Sequence, residues 1–379
     1  MQAPVREASM TDQKNNFKVW CLLGLPFYAV SMPEVCAWIE EVVQSKRQSI
    51  LSVTNVNWAA LATKDLDFKQ DLLLSDLNAV DSRILFWCAG FLGLPLPEQI
   101  AGPTIVETLA RKKEGELRVF FYGGGGNAAE KAAECLNKER SHLRAVGFCN
   151  PGGGSVEQLS HGNCLKKIDH AAPDFLILSI SAKKGLAWVH KNRSKLKVPL
   201  ISYLGAVVNL VAGHVKRAPL FLQKMGFEWV WRIFQEPKLL KRYYEDGLWF
   251  LKVLATYILP LKILQLYSRK KENDMRLPIF EIKKNEGKTV IGIKGVCNRY
   301  GQEIVRKAFS EAVPFEADIE IDLRETTYIE SSFLGELLLL WKEQKEKKRK
   351  CTVTGPDRRL QKIFRLYMMN DIFFEKAQV

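Results

Sequence analysis

The sequence predicts two α/β domains in tandem, the first built on a mainly parallel sheet. Three observations lead there. Short apolar runs alternate with helical patterns through the first ~250 residues, as expected where crossover helices join parallel strands. A polar linker, Ser268 to Arg276, then breaks the chain, and a compact strand–helix alternation of about 100 residues follows it. Finally, 379 residues with 47% hydrophobic and 26% charged side chains supply core for about two to three domains. That composition excludes a disordered, collagenous or multi-span membrane chain.

Taken in order, Val19 to Leu25 is a predicted strand and Met32 to Lys46 a helix, with Ser31 as its cap and Pro33 in its first turn, where a missing N–H costs nothing. Ser49 to Val56 is a second strand, Trp58 to Leu74 a helix, Leu77 to Asp81 an extended segment and Thr104 to Lys112 a helix. Arg118 to Tyr122 is a strand that runs through Gly123 to Gly126 into a helix over Ala128 to Lys138. Leu143 to Gly147, Pro173 to Ser181 and Val198 to Leu204 complete the sheet. Beyond the linker, strands at Ile279 to Lys283, Thr289 to Lys294, Ile319 to Leu323 and Cys351 to Thr354 alternate with helices at Gly301 to Ala312, Ser332 to Lys347 and Arg358 to Leu366.

A net charge of +14 points to a polyanionic partner: nucleic acid, nucleotide phosphates or an anionic membrane. Helix-turn-helix, zinc-finger and RNP motifs are absent, so no nucleic-acid partner is expected. The eight cysteines form no CxxC pair and the five histidines no HxxxH or HxH pair; buried, reduced thiols and no metal site are expected. Residues 1 to 17 are polar and lack an apolar core, which argues against a secretory signal.

The excess charge concentrates between 183 and 242, where thirteen basic residues face only Glu228 and Glu236. It continues into the apolar run Leu248 to Tyr267, interrupted by Lys252, Pro260 and Lys262. A lysine at the bilayer centre costs roughly 2.5 to 3.5 kcal/mol, so a helix lying in an anionic interface, with Trp249, Phe250, Leu254 and Ile258 in the acyl chains, fits better than a spanning one.

Asn55, Asn57 and Asp81 stand at the carboxyl ends of predicted strands, where open α/β sheets bind ligands, and Asp81 is a candidate general base there. The glycines of VFFYGGGGNAAEKAAECL, Gly123 and Gly124 among them, could bring bare backbone N–H groups to a phosphate, although no P-loop lysine follows.

SVTNVNWAALATKD, AVDSRILFWCAGFLGLPLPEQIAG, PDFLILSISAKKGLAWVHKNR and LGAVVNLVAGHVKRAPLFLQKMGFEWVWRIFQEPKLLKRYY resemble successive blocks of the WecG/TagA/CpsF glycosyltransferases over about residues 18 to 250. The resemblance implies a Rossmann-like, mainly parallel sheet on the cytosolic face of the membrane. It also implies transfer of N-acetylmannosamine or a similar sugar from a UDP donor to a polyprenyl diphosphate-linked sugar, without a metal or other cofactor. Residue by residue it makes Asp81 the base, and assigns substrate contacts to Asn55, Asn57, Thr104, Gly123, Gly124, Gly205, Asn209, Arg217, Arg232 and Arg242. The chain departs from the family pattern at Ser82, where glycine is usual, and in SAKKGLAW, which carries Gly185 and Leu186 in place of a Gln-Glu pair. Those departures keep a second reading open, a non-catalytic scaffold that binds lipid-linked sugar.

IEIDLRETTYIESSFLGELLLLWKEQ resembles the core of a STAS domain, a small α/β module with a mixed sheet that docks protein partners. Ser332 matches the serine phosphorylated in regulatory members, at a helix start where a phosphate is favoured electrostatically. Glu330 and Phe333 replace the usual aspartate and glycine. The expected organisation is a flexible tail at 1–17, the transferase domain at 18–245, a membrane-associating segment and linker at 246–274, and the STAS domain at 275–379.

Overall fold

A computed structural model of the chain describes residues 17–138, 141–160, 162–285 and 287–374, and of 269–272 the backbone alone. The expected flexible tail lies outside the described residues except for Phe17. The chain forms two compact units. One comprises Val30–Gly90 with Leu96–Lys252, the other the described parts of Met1–Ala29, Phe91–Pro95 and Val253–Val379.

At the start of the chain the single strand expected at 19–25 is instead a hairpin, β1 (Val19–Leu22) and β2 (Leu25–Tyr28), paired from Val19↔Tyr28 to Leu22↔Leu25. Leu23 and Gly24 turn it, both with positive φ, +53° and +73°. Two successive left-handed residues match the twist of the flanking strands. A leucine rather than Asn or Asp at the first turn position hid this hairpin from sequence reasoning.

In the larger unit, β3 (Ser49–Thr54), β4 (Leu77–Val80), β5 (Leu117–Gly123), β6 (Leu143–Cys149), β7 (Phe175–Ser179) and β8 (Leu200–Tyr203) form one sheet in the order β4-β3-β8-β7-β5-β6. Every ladder in it is parallel. β3, β4 and β7 are buried along their whole length, as expected of strands covered by helices on both faces. Ser31 and Glu34 form a capping box that starts the helix Met32–Ser45. The single helix expected over 58–74 breaks at Asp65, which leaves the first helix in extended conformation and caps the second, Leu66–Leu73, by accepting from Phe68 N at 3.1 Å. Helices at Arg83–Phe91 and Ala182–Asn192 add to those predicted. Cys149 and Cys164 join in a disulfide between β6 and the helix Gly162–Ala171, with Cα atoms 5.9 Å apart, which corrects the expectation of reduced thiols throughout.

The smaller unit carries β9 (Ile279–Asn285), β10 (Lys288–Cys297), β11 (Asp318–Ile329) and β12 (Cys351–Thr354) in the order β12-β11-β10-β9. β9 runs antiparallel to β10 and the other ladders are parallel, giving a mixed sheet. The helix Ser331–Glu346 is buried on nearly every side, because the β1–β2 hairpin packs on it as well. Ser331 Oγ donates to Cys21 O at 2.8 Å and Gln302 Nε2 to Val19 O at 2.9 Å. At Gly335 a Cβ would stand 2.6 Å from Val19 O, so only glycine lets the strand approach so closely. Glu330, buried, takes Arg299 Nε at 3.0 Å, and Phe333 packs on Phe309, which accounts for both residues as internal contacts of this unit. Ser332 is fully buried and its Oγ has no hydrogen-bond partner.

Helix continues through the stretch expected to be a polar linker as far as Glu272. From Pro237 to Ser268 it is long and apolar enough to cross a membrane, by length and composition. Its lipid-facing candidates differ from those expected. Ile258 is buried, Phe250 lines a cleft and Trp249 Nε1 donates to Thr63 Oγ1 at 2.9 Å, whereas Leu240, Tyr244, Leu248 and Leu251, one turn apart, are exposed.

Candidate active site

A cleft of about 830 Å³ opens at the carboxyl ends of β3, β4, β7 and β8, within the larger unit. Parallel strands place it there. All their carboxyl ends point one way, and the loops leaving them converge on one edge of the sheet. Asn55 and Asp81, the residues that follow β3 and β4, meet at its floor.

Asp81 is fixed by its own backbone, its N–H donating to Thr54 O at 2.9 Å and its carbonyl accepting from Gln99 Nε2. Asn55 caps the helix Val56–Lys64 through Oδ1, which accepts from Trp58 N at 3.1 Å; its amide is left to donate to the Asp81 carboxylate. Burial pushes the Asp81 carboxyl up to about 7, and the nearby negative charge of Glu228 pushes it the same way. The Asn55 hydrogen bond and the charges of Arg217 and Arg232 offset part of that rise. A carboxylate with this affinity is matched to taking a proton near neutral pH. Glu228→Gln removes one of the raising charges. The expected result is that the acidic limb of the pH profile of kcat/KM moves to lower pH; a limb that stays in place or moves up would remove Glu228 from this electrostatic role.

Arg217, Arg232 and Arg242 face the same space, and Arg83 lines it as well. Arg217 is held by Glu107 Oε2 and Thr104 Oγ1, each at 2.6 Å, so Thr104 positions a cation from behind the cleft wall. Arg232 pairs with Glu236 at 2.8 Å, one turn along its own helix. The Nε atoms of Arg217 and Arg232 are buried without a partner. Arg242 lies over the Tyr243 ring, 4.8 Å from its centroid. Planar guanidinium groups spaced around a pocket suit a diphosphate, which takes two parallel N–H donors from each.

Of the other expected contacts, Asn57, Gly205 and Asn209 line the cleft. Gly123 and Gly124 do not, and packing explains both: a Cβ on Gly123 would lie 2.6 Å from Ser179 O, and one on Gly124 3.0 Å from the Ala128 Cβ. Ser332 belongs to the other unit.

Besides Asp81 and Glu228 the cleft holds a third carboxylate that sequence reasoning missed, Asp246, which is buried and accepts from Asn57 Nδ2 at 3.0 Å. Burial raises its pKa, against Asn57 and Arg242. Its one available signal was the i,i+4 spacing from Arg242, which puts both on one face of the helix Leu240–Val253. Tyr203 and Lys183, which pairs with Asp65 at 2.5 Å, were also unassigned. Among the described residues no group of three or more His, Cys, Asp or Glu is placed to hold a metal ion.

Residues 20–262 match the model of the "Glycosyl transferase WecG/TagA/CpsF family", and residues 280–375 that of the "Mlab, STAS domain". The N-acetylglucosaminyldiphosphoundecaprenol N-acetyl-beta-D-mannosaminyltransferase of Bacillus subtilis (strain 168) is 23% identical over 223 residues, 58% of this chain and 84% of that protein. The protein of the same name from Staphylococcus aureus (strain MRSA252) is 22% identical over 227 residues, 59% of this chain and 87% of its own. Among solved structures, the unphosphorylated anti-sigma factor antagonist SpoIIAA is 20% identical, covering 23% of this chain and 82% of its own, with a TM-score of 0.21.

Proposed function

The chain belongs to the WecG/TagA/CpsF glycosyltransferase family, and from that premise we propose that it moves an N-acetylhexosamine, N-acetylmannosamine-like, from a UDP donor to a polyprenyl diphosphate-linked sugar. The observation that carries this reading is one cleft holding a carboxylate poised near pH 7 among arginines. In the step, the acceptor hydroxyl oxygen attacks the anomeric carbon of the donor sugar while the bond from that carbon to the diphosphate oxygen breaks. The proton passes to Asp81, and the electron pair leaves with UDP. Asn55 orients the Asp81 carboxylate, and Arg217, Arg232 and Arg242 stabilise charge on the departing UDP or on the lipid diphosphate, with Asn57, Gly205 and Asn209 shaping the site. UDP release from a panel of UDP-sugars with a short polyprenyl diphosphate-sugar tests it, and release dependent on both substrates is expected. Gly185, in place of the family's usual glutamine, favours the scaffold reading, for which the same assay gives no UDP release while calorimetry still detects binding of the lipid-linked sugar.

A lipid-linked acceptor requires the enzyme to work at a bilayer, and the exposed stripe Leu240, Tyr244, Leu248 and Leu251 supports peripheral attachment to the inner face of the membrane. Basic side chains near an anionic surface add about 1 kcal/mol each. Converting the four stripe residues to serine in the full chain is expected to reduce flotation with anionic liposomes at least ~10-fold, because burial of apolar side chains is removed while the cleft-lining face is untouched. Equal recovery would contradict peripheral attachment through this stripe. The smaller unit fits a docking role for a protein partner. Its long helix is already covered by the β1–β2 hairpin of the same chain, so a partner that reads this helix competes with the hairpin.

A further inference from the structure

One wall of the cleft is built around a single ring. Tyr203 ends β8 and is pinned on three sides. Its hydroxyl donates to Ile180 O at 2.5 Å, Trp58 packs against it with ring centroids 5.0 Å apart, and a Cβ on Gly205 would stand 2.9 Å from its hydroxyl oxygen. The fourth side is Gly185, inside the helix Ala182–Asn192. A Cβ there would fall 2.3 Å from Tyr203 Cδ2 and 2.7 Å from Cε2, inside any real contact distance. The ring therefore fills the space that a side chain at 185 would need. It faces the cleft together with Lys183, and Arg242 is within electrostatic reach. An aromatic face bordered by cations suits a hexose carried on a diphosphate: the C–H face of the sugar packs on the ring while the cations take the phosphates.

We propose that Tyr203 is the residue that decides which donor sugar the cleft accepts, its ring, seated in the room that Gly185 leaves for it, forming the wall of the sugar subsite. This rests on the UDP-sugar reading above and deepens it by naming the wall against which the sugar is selected.

Three full-length variants test it: Tyr203→Gly, Gly185→Ala and the double substitution. Alanine is the better helix former, so without the ring Gly185→Ala would stabilise the helix. The contact predicts the reverse, a Tm lowered by about 5 °C in the single variant and regained when Tyr203 is also glycine. Calorimetry with UDP, UDP-glucose, UDP-N-acetylglucosamine and UDP-N-acetylmannosamine supplies the functional readout. Tyr203→Gly is expected to keep UDP affinity within about threefold while changing the affinity ratio among the UDP-sugars by about tenfold or more, the scale on which pocket shape discriminates. An unchanged ratio, a loss shared equally with UDP, or a Gly185→Ala that raises Tm in both backgrounds overturns the proposal. Wild-type protein that binds UDP-sugars yet transfers none counts against the transferase reading and leaves the ratio to judge Tyr203. Wild-type protein that binds no UDP-sugar overturns both.

Discussion

Asp81→Asn is expected to lower sugar transfer by about 10²- to 10⁴-fold, the range typical for loss of a positioned general base. The amide has the shape of the carboxylate and can still accept from Asn55, but it cannot take the acceptor's proton. Folding moves the other way. The Asp81 carboxyl is raised from an ordinary 3.8 to about 7 in the folded chain, so the folded state holds its proton more tightly than the unfolded one. Its contribution to stability is therefore fully present below about pH 4 and is lost as pH rises toward 7. Asparagine, neutral throughout, removes that loss. The variant should melt at or above the wild-type temperature at pH 7.5 and above while losing activity. In the wild type, kcat/KM should fall as pH drops through about 7. A variant within threefold of wild type would exclude Asp81 as the base; a variant that is inactive because it melts early would show a structural role instead.

Ser332→Asp is expected to unseat the hairpin rather than alter an exposed recognition surface. The helix start at Ser331 would favour a negative charge by at most about 2 kcal/mol. Ser332 is fully buried, however, and an unpaired buried carboxylate costs several kcal/mol, so burial decides the sign. Neutralising its neighbour Glu330 already occupies Arg299. A Tm lowered on the order of 10 °C is expected, with faster amide exchange across 19–28. Ser332→Ala should be neutral or stabilising, since the hydroxyl it removes has no partner. If Ser332→Asp melts with wild type and the hairpin stays protected, the burial argument is wrong. If it behaves as expected, phosphorylation of Ser332 requires its buried site to open first.

Much of this architecture was legible because its signals are local. Mostly apolar runs such as Ile50–Val53, broken only by Ser52, and Phe175–Leu178 mark buried parallel strands, and Asn55 and Asp81 were found because they follow such runs. What escaped depends on long-range packing. Leu23 gives no sign of a left-handed turn, and nothing near Ser331 shows that a strand 310 residues earlier, anchored at Cys21 O, covers its helix. Gly123 and Gly124 looked like a phosphate loop, but their space is taken by Ser179 and Ala128. Asp246 and Tyr203 join the cleft only once the helix Leu240–Val253 and β8 are in place, and periodicity alone assigns neither a role.

If the cleft around Asp81 moves a sugar onto a lipid-linked acceptor, the mass of that lipid must change. Purified full-length protein, incubated with a UDP-N-acetylhexosamine and a short polyprenyl diphosphate-linked sugar, should convert the acceptor to a species heavier by one N-acetylhexosamine residue, with one UDP released per product and neither formed by Asp81→Asn. An acceptor of unchanged mass across the whole sugar panel, or UDP released without a heavier lipid, would contradict the account.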